Sequence, residues 1–177
     1  MSEPTKYYSS RQEHMVADYL GWSVVSGSGA RSFNPGDIRS DDFLGECKTF
    51  TKESDDVYCY NSVWSKITEE ATSVMKKPVL FVDNGTQQSQ NTWCVVPERF
   101  ISSAPSVSIM DSKVANSLLK TSKTRVRFSH MNVKYEFMMY RRVVNTDMIA
   151  LPFHLADTNV ALISLATLKH VLEGDVD

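Results

Sequence analysis

The most informative segment of the chain is residues 43–50, which read FLGECKTF. Its apolar side chains predict a β-strand in the centre of a sheet. Because successive side chains of a strand point to opposite faces, Glu46 and Lys48 would share one face while Cys47 points into the core. Charged side chains are rarely buried without a partner, so two of them on one face of an otherwise apolar strand indicate a functional site.

A second acidic residue, Asp37, lies shortly before this strand in the segment Pro35-Gly36-Asp37-Ile38. The end of that segment predicts a short strand, which a polar turn would connect to residues 43–50. If the two strands are neighbours in one sheet, the side chains of Asp37, Glu46 and Lys48 converge on one small site.

Two carboxylates and an ammonium group suit the hydrolysis of a phosphodiester. Mg²⁺ binds through one or two carboxylates and supplies a nucleophilic water and charge stabilisation. Asp37 and Glu46 would be those ligands, with the backbone carbonyl of Cys47 as a further one. Lys48 would orient the water or help to deprotonate it. The competing interpretation is a solvated strand face, because a bare Glu-x-Lys occurs by chance in most proteins of this length.

The first hundred residues predict helices alternating with strands. Helices are expected over residues 9–20 and 61–76, and strands over residues 22–25, near 38, and over 43–50, 78–82 and 92–96. A turn or short helix is expected from residue 97 onward. This order predicts an α/β fold in which helices flank a central mixed β-sheet.

The rest of the chain predicts an α+β extension that packs on the first domain or continues it. Residues 1–100 would form the core and residues 101–177 the extension. Helices are expected over residues 111–120 and 162–172, and the alternation of apolar side chains in residues 125–144 predicts a β-hairpin.

Composition indicates an ordinary globular protein. The 177 residues are 42% hydrophobic and 23% charged, which allows a core of normal size in one domain. No apolar run approaches the roughly 18 residues of a membrane span, and the first residues lack the apolar stretch of a signal peptide. We therefore expect an intracellular, cytoplasmic protein with no membrane partner.

The three cysteines lack metal-ligand spacing, and a net charge of −2 neither indicates nor excludes a nucleic-acid partner.

The order of these features resembles the PD-(D/E)xK nucleases and, among them, the archaeal- and phage-type Holliday junction resolvases. The resemblance covers about residues 8–100. It depends on five elements in the order of the family. These are the N-terminal helix with Glu13, the strand that follows it, the loop Ser26-Gly27-Ser28-Gly29, Asp37 after a glycine, and the Glu46-x-Lys48 pair on the next strand. Their shared order and spacing are far more specific than Glu-x-Lys alone.

The resemblance implies a restriction-endonuclease-like core and a Mg²⁺-dependent endodeoxyribonuclease in which Mn²⁺ can substitute. It also implies a homodimer that places two active sites on opposite strands of branched DNA, in the host cytoplasm if the protein is phage-encoded. The catalytic residues would be Glu13, Asp37, Glu46 and Lys48, with Glu13 binding a second cation or a metal-bound water. The alternative for Glu13 is a capping box, Ser10-Arg11-Gln12-Glu13, in which the glutamate reaches back to the backbone amide of the N-cap residue.

Further residues are candidates for contact with DNA. Ser28 and Arg31 lie in the small-residue loop, whose amides and hydroxyls can approach a phosphate, although a plain flexible connection would look the same. Lys66 resembles a position that faces the active site in related nucleases, and a solvated helix face is its alternative. Arg125 and Arg127 would share one face of the hairpin, as binding to successive phosphates requires, or would protect an edge strand against aggregation.

Two other functions stay open on the sequence alone. A restriction-like or nicking endonuclease of the same fold would use the same residues, because the core motif binds the metal and does not read the shape of the DNA. A catalytically silent DNA-binding or assembly protein would keep the fold without metal dependence. That alternative gives no chemical reason for Lys48 beside two acids.

Overall fold

The structure is a computed structural model that describes residues 3–26 and 34–174. Its helices are α1 (Glu3–Leu20), α2 (Asn61–Ser73), α3 (Glu98–Ser102), α4 (Ser112–Leu118), α5 (His130–Val144) and α6 (Leu165–Gly174). Its strands are β1 (Ser23–Val24), β2 (Ile38–Arg39), β3 (Phe43–Lys48), β4 (Asp56–Tyr60), β5 (Lys77–Asp83), β6 (Thr92–Pro97), β7 (Ser108–Ile109), β8 (Leu119–Thr121), β9 (Arg125–Ser129), β10 (Ile149–Leu155) and β11 (Thr158–Ser164).

A central sheet of eight strands runs in the order β1-β2-β3-β5-β6-β11-β10-β7. β3 pairs with β5 and β10 pairs with β7 in parallel, while the other neighbours are antiparallel, so the sheet is mixed. A three-stranded antiparallel sheet in the order β4-β9-β8 lies on one of its faces. The predicted central mixed sheet flanked by helices is confirmed.

Two hydrophobic cores lie on opposite faces of the central sheet. In β5, Leu80 and Val82 belong to the first core, whereas Val79 and Phe81 belong to the second. The first core is covered by α2, α5 and the three-stranded sheet, and the second by α1, α3 and α6. Strands that are buried on both faces carry uninterrupted apolar runs, which explains why β5 and β6 were predictable without any alternation.

The capping-box interpretation of Glu13 is wrong. Helix α1 begins at Glu3, so Ser10 lies inside the helix and cannot be its N-cap. The helix was expected to begin near residue 9 because its apolar stripe starts only at Met15 and Val16.

The predicted hairpin over residues 125–144 is also wrong. Only β9 is extended, and α5 follows it directly, with the Ser129 side chain accepting a hydrogen bond from the backbone N–H of Asn132 as an N-cap. The helix ends at Val144 and is capped by Asn145, whose left-handed φ of 55° is typical of a C-terminal cap.

The second half of the chain extends the central sheet. β11 pairs with β6, and β10 pairs with β11 through a tight turn at Ala156 and Asp157, whose φ values of 49° and 58° suit a two-residue hairpin loop. The C-terminal helix therefore begins at Leu165, later than the predicted residue 162. The predicted helix over residues 111–120 ends at Leu118, because the chain continues into β8.

Two smaller findings concern membranes and cysteines. Within residues 3–26 and 34–174, none of the helices has the length and apolar character needed to cross a bilayer. Cys47, Cys59 and Cys94 are all buried free thiols, as expected.

Gly45 permits close packing next to the charged residues of β3. A Cβ atom at this position would lie 2.7 Å from the Phe81 ring and 2.9 Å from Cγ1 of Ile38, and both of these side chains are fully buried. We expect Gly45→Ala to lower the free energy of unfolding by about 1–3 kcal/mol, measured by urea denaturation.

Gly174→Ala is the matched control, because a Cβ atom there meets nothing within 4 Å. It should change the free energy of unfolding by less than about 0.5 kcal/mol. Equal stability of the two variants would show that the packing around Gly45 relaxes freely.

Candidate metal and catalytic site

Asp37 is held beside β3 at the residue immediately before β2 begins. Its backbone N–H donates to the carbonyl of Gly45 at 2.8 Å. Its carboxylate oxygen Oδ2 accepts a hydrogen bond from the backbone N–H of Cys47 at 2.9 Å. The carboxylate therefore lies along the edge of β3, next to Glu46.

Glu46 and Lys48 lie on one face of β3, as the two-residue period predicts. The Lys48 ammonium nitrogen Nζ is 3.1 Å from Oε1 of Glu46. Glu46 is only 6% exposed, and a carboxylate this buried needs a charged or hydrogen-bonding partner. Cys47, between them, packs in the second core.

Glu13 on α1 belongs to the same cluster. Burial of its carboxyl group, together with the negative charges of Asp37 and Glu46, raises the pKa of Glu13 from its ordinary 4.5 to about 7. The positive charge of Lys48 opposes this shift. Asp37, Glu46 and Lys48 therefore lie together along β3. Glu13 lies close enough for the charges of all three to act on it.

Burial and charge also act on the ion pair of β3. Burial and the charge of Asp37 raise the pKa of Glu46, and the positive charges of Lys48 and Lys66 oppose this rise. Burial alone would lower the pKa of Lys48, but the carboxylates of Glu46 and Asp37 outweigh burial and raise it. The site thus combines three carboxylates with a lysine that keeps its proton.

Two residues that sequence reasoning missed support this arrangement. Gln12 is fully buried, and its Nε2 donates to the carbonyl of Lys48 at 2.8 Å, which connects α1 to the end of β3. Glu70 on α2 accepts a hydrogen bond from the backbone N–H of Gly36 at 3.1 Å. The spacing of Glu70 four residues after Lys66 was the available signal for it, and nothing in the sequence marked Gln12.

Lys66 lies on the side of α2 that faces the site. Its Nζ is 3.7 Å from Oε1 of Glu70, and its positive charge opposes the rise in the pKa of Glu46. The remaining candidates for DNA contact are separate from the cluster. Arg125 and Arg127 share one face of β9 in the three-stranded sheet, while Ser28 and Arg31 lie outside the described residues.

The donor chemistry of the cluster suits a hard divalent cation. Carboxylate oxygens are the ligands that Mg²⁺ and Mn²⁺ accept, and a cation would offset the repulsion among three buried or half-buried acids. Asp37 and Glu46 would hold it, with Glu13 and the backbone carbonyl of Cys47 as further donors. The described part of the chain contains no preformed group of three or more His, Cys, Asp or Glu side chains that could hold a metal ion.

Removing the charge of Glu13 should stabilise the folded chain in the absence of divalent cations. Because the pKa of Glu13 rises from 4.5 to about 7 on folding, its ionisation costs stability as the pH increases through this window. In EDTA at pH 8, Glu13→Gln should raise the free energy of unfolding by about 1–2 kcal/mol. This value is reduced for solvent screening, because the Glu13 carboxylate beside Asp37, Glu46 and Lys48 is only half-buried.

The gain should nearly vanish at pH 4.5, where folded Glu13 is already protonated. Glu69→Gln, which removes an exposed carboxylate from α2, should leave the stability unchanged at both pH values. Urea denaturation measures the difference, and a gain that is the same at both pH values would contradict the like-charge explanation.

Comparisons of the chain with protein-family models, with curated proteins and with solved structures found no match. The resemblance to PD-(D/E)xK nucleases therefore stays a hypothesis, supported by the chain's own residues.

Proposed function

We propose that this chain is a metal-dependent endodeoxyribonuclease with a restriction-endonuclease-like core. One observation carries the proposal: Asp37, Glu46 and Lys48 lie together at the edge of β3, and the charges of all three act on Glu13. Their order along the chain is the order that the resemblance implies. The burial of Glu46 adds support, because a purely structural surface strand has no need of a buried carboxylate beside two other acids.

The residues of the cluster would divide the work of phosphodiester hydrolysis. Mg²⁺, or Mn²⁺ in its place, when bound by Asp37 and Glu46, supplies a nucleophilic water and stabilises negative charge on the phosphate. The hydrogen bond from Cys47 keeps the Asp37 carboxylate oriented before substrate binds. Lys48, charged and paired with Glu46, would donate a hydrogen bond to the phosphate or to the attacking water. Glu13 would orient a water or hold a second cation.

Cleavage of DNA in Mg²⁺ is the first test. The protein should cut at least one member of a panel of synthetic four-way junctions, nicked duplex, linear duplex and single strands. Asp37→Asn should lower the rate by a factor on the order of 10³, because a lost metal ligand costs several kcal/mol of transition-state stabilisation. Asp41→Asn, which changes an exposed carboxylate in the turn before β3, is the control and should retain full activity.

The outcomes separate this proposal from its alternatives. Cleavage of branched DNA alone would support a resolvase-like enzyme, and cleavage of duplex or nicked DNA would favour a restriction-like or nicking enzyme of the same fold. Undiminished cleavage by Asp37→Asn would overturn the assignment of the site. Calorimetry tests the third alternative. A protein that binds DNA, cleaves none of it and shows no heat of Mg²⁺ binding would be the catalytically silent DNA-binding protein. A metal site at β3 instead predicts a heat of Mg²⁺ binding that Glu46→Gln abolishes.

Helix α5 offers a surface for the homodimer that the resemblance implies. Its outward side carries large apolar side chains that are 37–80% exposed, namely Met131, Tyr135, Met138, Met139 and Val143. Its inward side packs in the first core, so the helix has apolar side chains on both sides. The exposed cation Arg142, four residues after Met138, lies among the outward ones. A row of apolar residues spaced four apart can pack against the same row of an antiparallel second copy, which satisfies two-fold symmetry. We infer that a second copy covers this side of α5.

Light scattering after size-exclusion chromatography tests the dimer. The wild-type protein should have twice the 20.0 kDa mass of one chain. Met138→Lys should shift the mass to that of a monomer, because it would place a second positive charge beside Arg142 inside the interface with no acid to pair with it. Met75→Lys changes an exposed methionine after α2 and should remain dimeric. A wild-type mass of one chain would contradict the inference.

A further inference from the structure

The three-stranded sheet has an outward face that is both basic and aromatic. The alternate residues of β4 and β9 are buried in the first core, so the residues between them point away from it. The outward face is formed by Tyr58 and Tyr60 on β4, Arg125 and Arg127 on β9, and Lys120 on β8. We call this set the tyrosine–arginine face.

Strand register brings the two residue types into contact. Tyr58 is paired with Arg127 and Tyr60 with Arg125, and side chains on directly paired residues share a face. The guanidinium carbon Cζ of Arg125 lies 4.4 Å from the centroid of the Tyr58 ring and 5.9 Å from that of the Tyr60 ring. The two tyrosine rings are 6.1 Å apart and 26° from parallel. These planar groups form a partly exposed stack.

The charge of this face is positive. Arg125, Arg127 and Lys120 contribute three positive charges. Two acids lie at one end of this side: Asp56, whose Oδ2 is 4.0 Å from Nη1 of Arg127, and Asp55, whose carboxylate accepts a hydrogen bond from Ser129. Two carboxylates at one end of the sheet do not neutralise the three cations. The remaining cations are placed to meet the phosphates of a nucleic acid.

Phe50 connects the tyrosine–arginine face to the candidate catalytic site. It lies two residues after Lys48, and its ring is 6.0 Å from the ring of Tyr58 in an edge-on arrangement. Helix α2 begins immediately after Tyr60 and carries Lys66, whose charge reaches Glu46. A strand that leaves the site past Lys48 would therefore meet Phe50 first and the tyrosines next.

We propose that the tyrosine–arginine face binds single-stranded DNA beside the cleavage site. Bases would stack on Tyr60 and on the Arg125–Tyr58 pair, and Arg127 and Lys120 would bind phosphates. Stacking needs unpaired bases, whose flat faces a duplex does not offer, whereas duplex phosphates alone would need the cations but not the rings. The proposal rests on the proposed nuclease function and narrows its substrate to DNA in which an unpaired strand continues from the cut.

Binding is tested in EDTA, where no cleavage occurs, by the fluorescence anisotropy of a labelled dT oligonucleotide of about 20 nucleotides, longer than one typical binding site. Tyr60→Leu keeps apolar volume but removes the ring, and it should weaken binding about ten-fold at every salt concentration. Arg125→Gln should also weaken binding, and it should reduce the slope of log affinity against log salt by about 0.7, because one fewer counterion is released.

Matched control variants lie elsewhere on the molecule. Tyr7→Leu on α1 and Arg99→Gln on α3 change exposed residues of the same types and should leave both affinity and salt slope unchanged. Thermal unfolding of all four variants checks that they are folded. A duplex of the same length should show no loss of affinity with Tyr60→Leu.

Cleavage distinguishes this inference from the proposed function. In Mg²⁺, a splayed duplex with single-stranded arms should be cut faster than a blunt duplex. Tyr60→Leu should lower the ratio of these two cleavage rates about ten-fold. Oligonucleotide binding that neither Tyr60→Leu nor Arg125→Gln weakens overturns the inference, even if cleavage is normal. A loss of oligonucleotide affinity in Arg125→Gln but not in Tyr60→Leu also overturns it. So does a Tyr60→Leu variant that loses as much affinity for duplex as for the single strand. Binding that depends on Tyr60 without any cleavage keeps the inference and overturns the nuclease.

Discussion

The hydrogen bond from the backbone N–H of Cys47 to the carboxylate of Asp37 is the interaction on which the candidate site depends. β5 pairs with β3 along its whole length, but β2 reaches only Leu44 and Gly45 on the other side. An unpaired buried amide beyond that point would cost about 1–3 kcal/mol, and the Asp37 side chain supplies the missing acceptor. The same bond that completes the edge of the strand fixes one acid beside another.

The central part of the fold could be predicted because its signals are local. The apolar runs of β3, β5 and β6 and the amphipathic pattern of α2 each determine an element within a few residues. The error at residues 125–144 has a physical reason, since the apolar residues Val126, Phe128, Val133 and Phe137 fit a strand in the first half and a helix in the second. Only the packing of α5 on the first core decides between them.

The site could be predicted only in part. The common face of Glu46 and Lys48 follows from the strand period, and it needs no knowledge of the rest of the molecule. The approach of Glu13 depends on how α1 crosses the sheet, which the resemblance implied and local pattern did not. Gln12 and Glu70 bind backbone groups of distant segments, and hydrogen bonds of this kind leave no trace in the spacing of residues.

The acids of the cluster come from both sides of the central sheet. Helix α1 packs in the second core, while Glu46 points to the same face of β3 as Leu44, a residue of the first core. Anything that binds Glu13 and Glu46 together would join these two layers mechanically. Occupancy of the site would then decide whether α1 opens alone in a local fluctuation or only with the whole domain, and amide hydrogen exchange along that helix would report how full the site is.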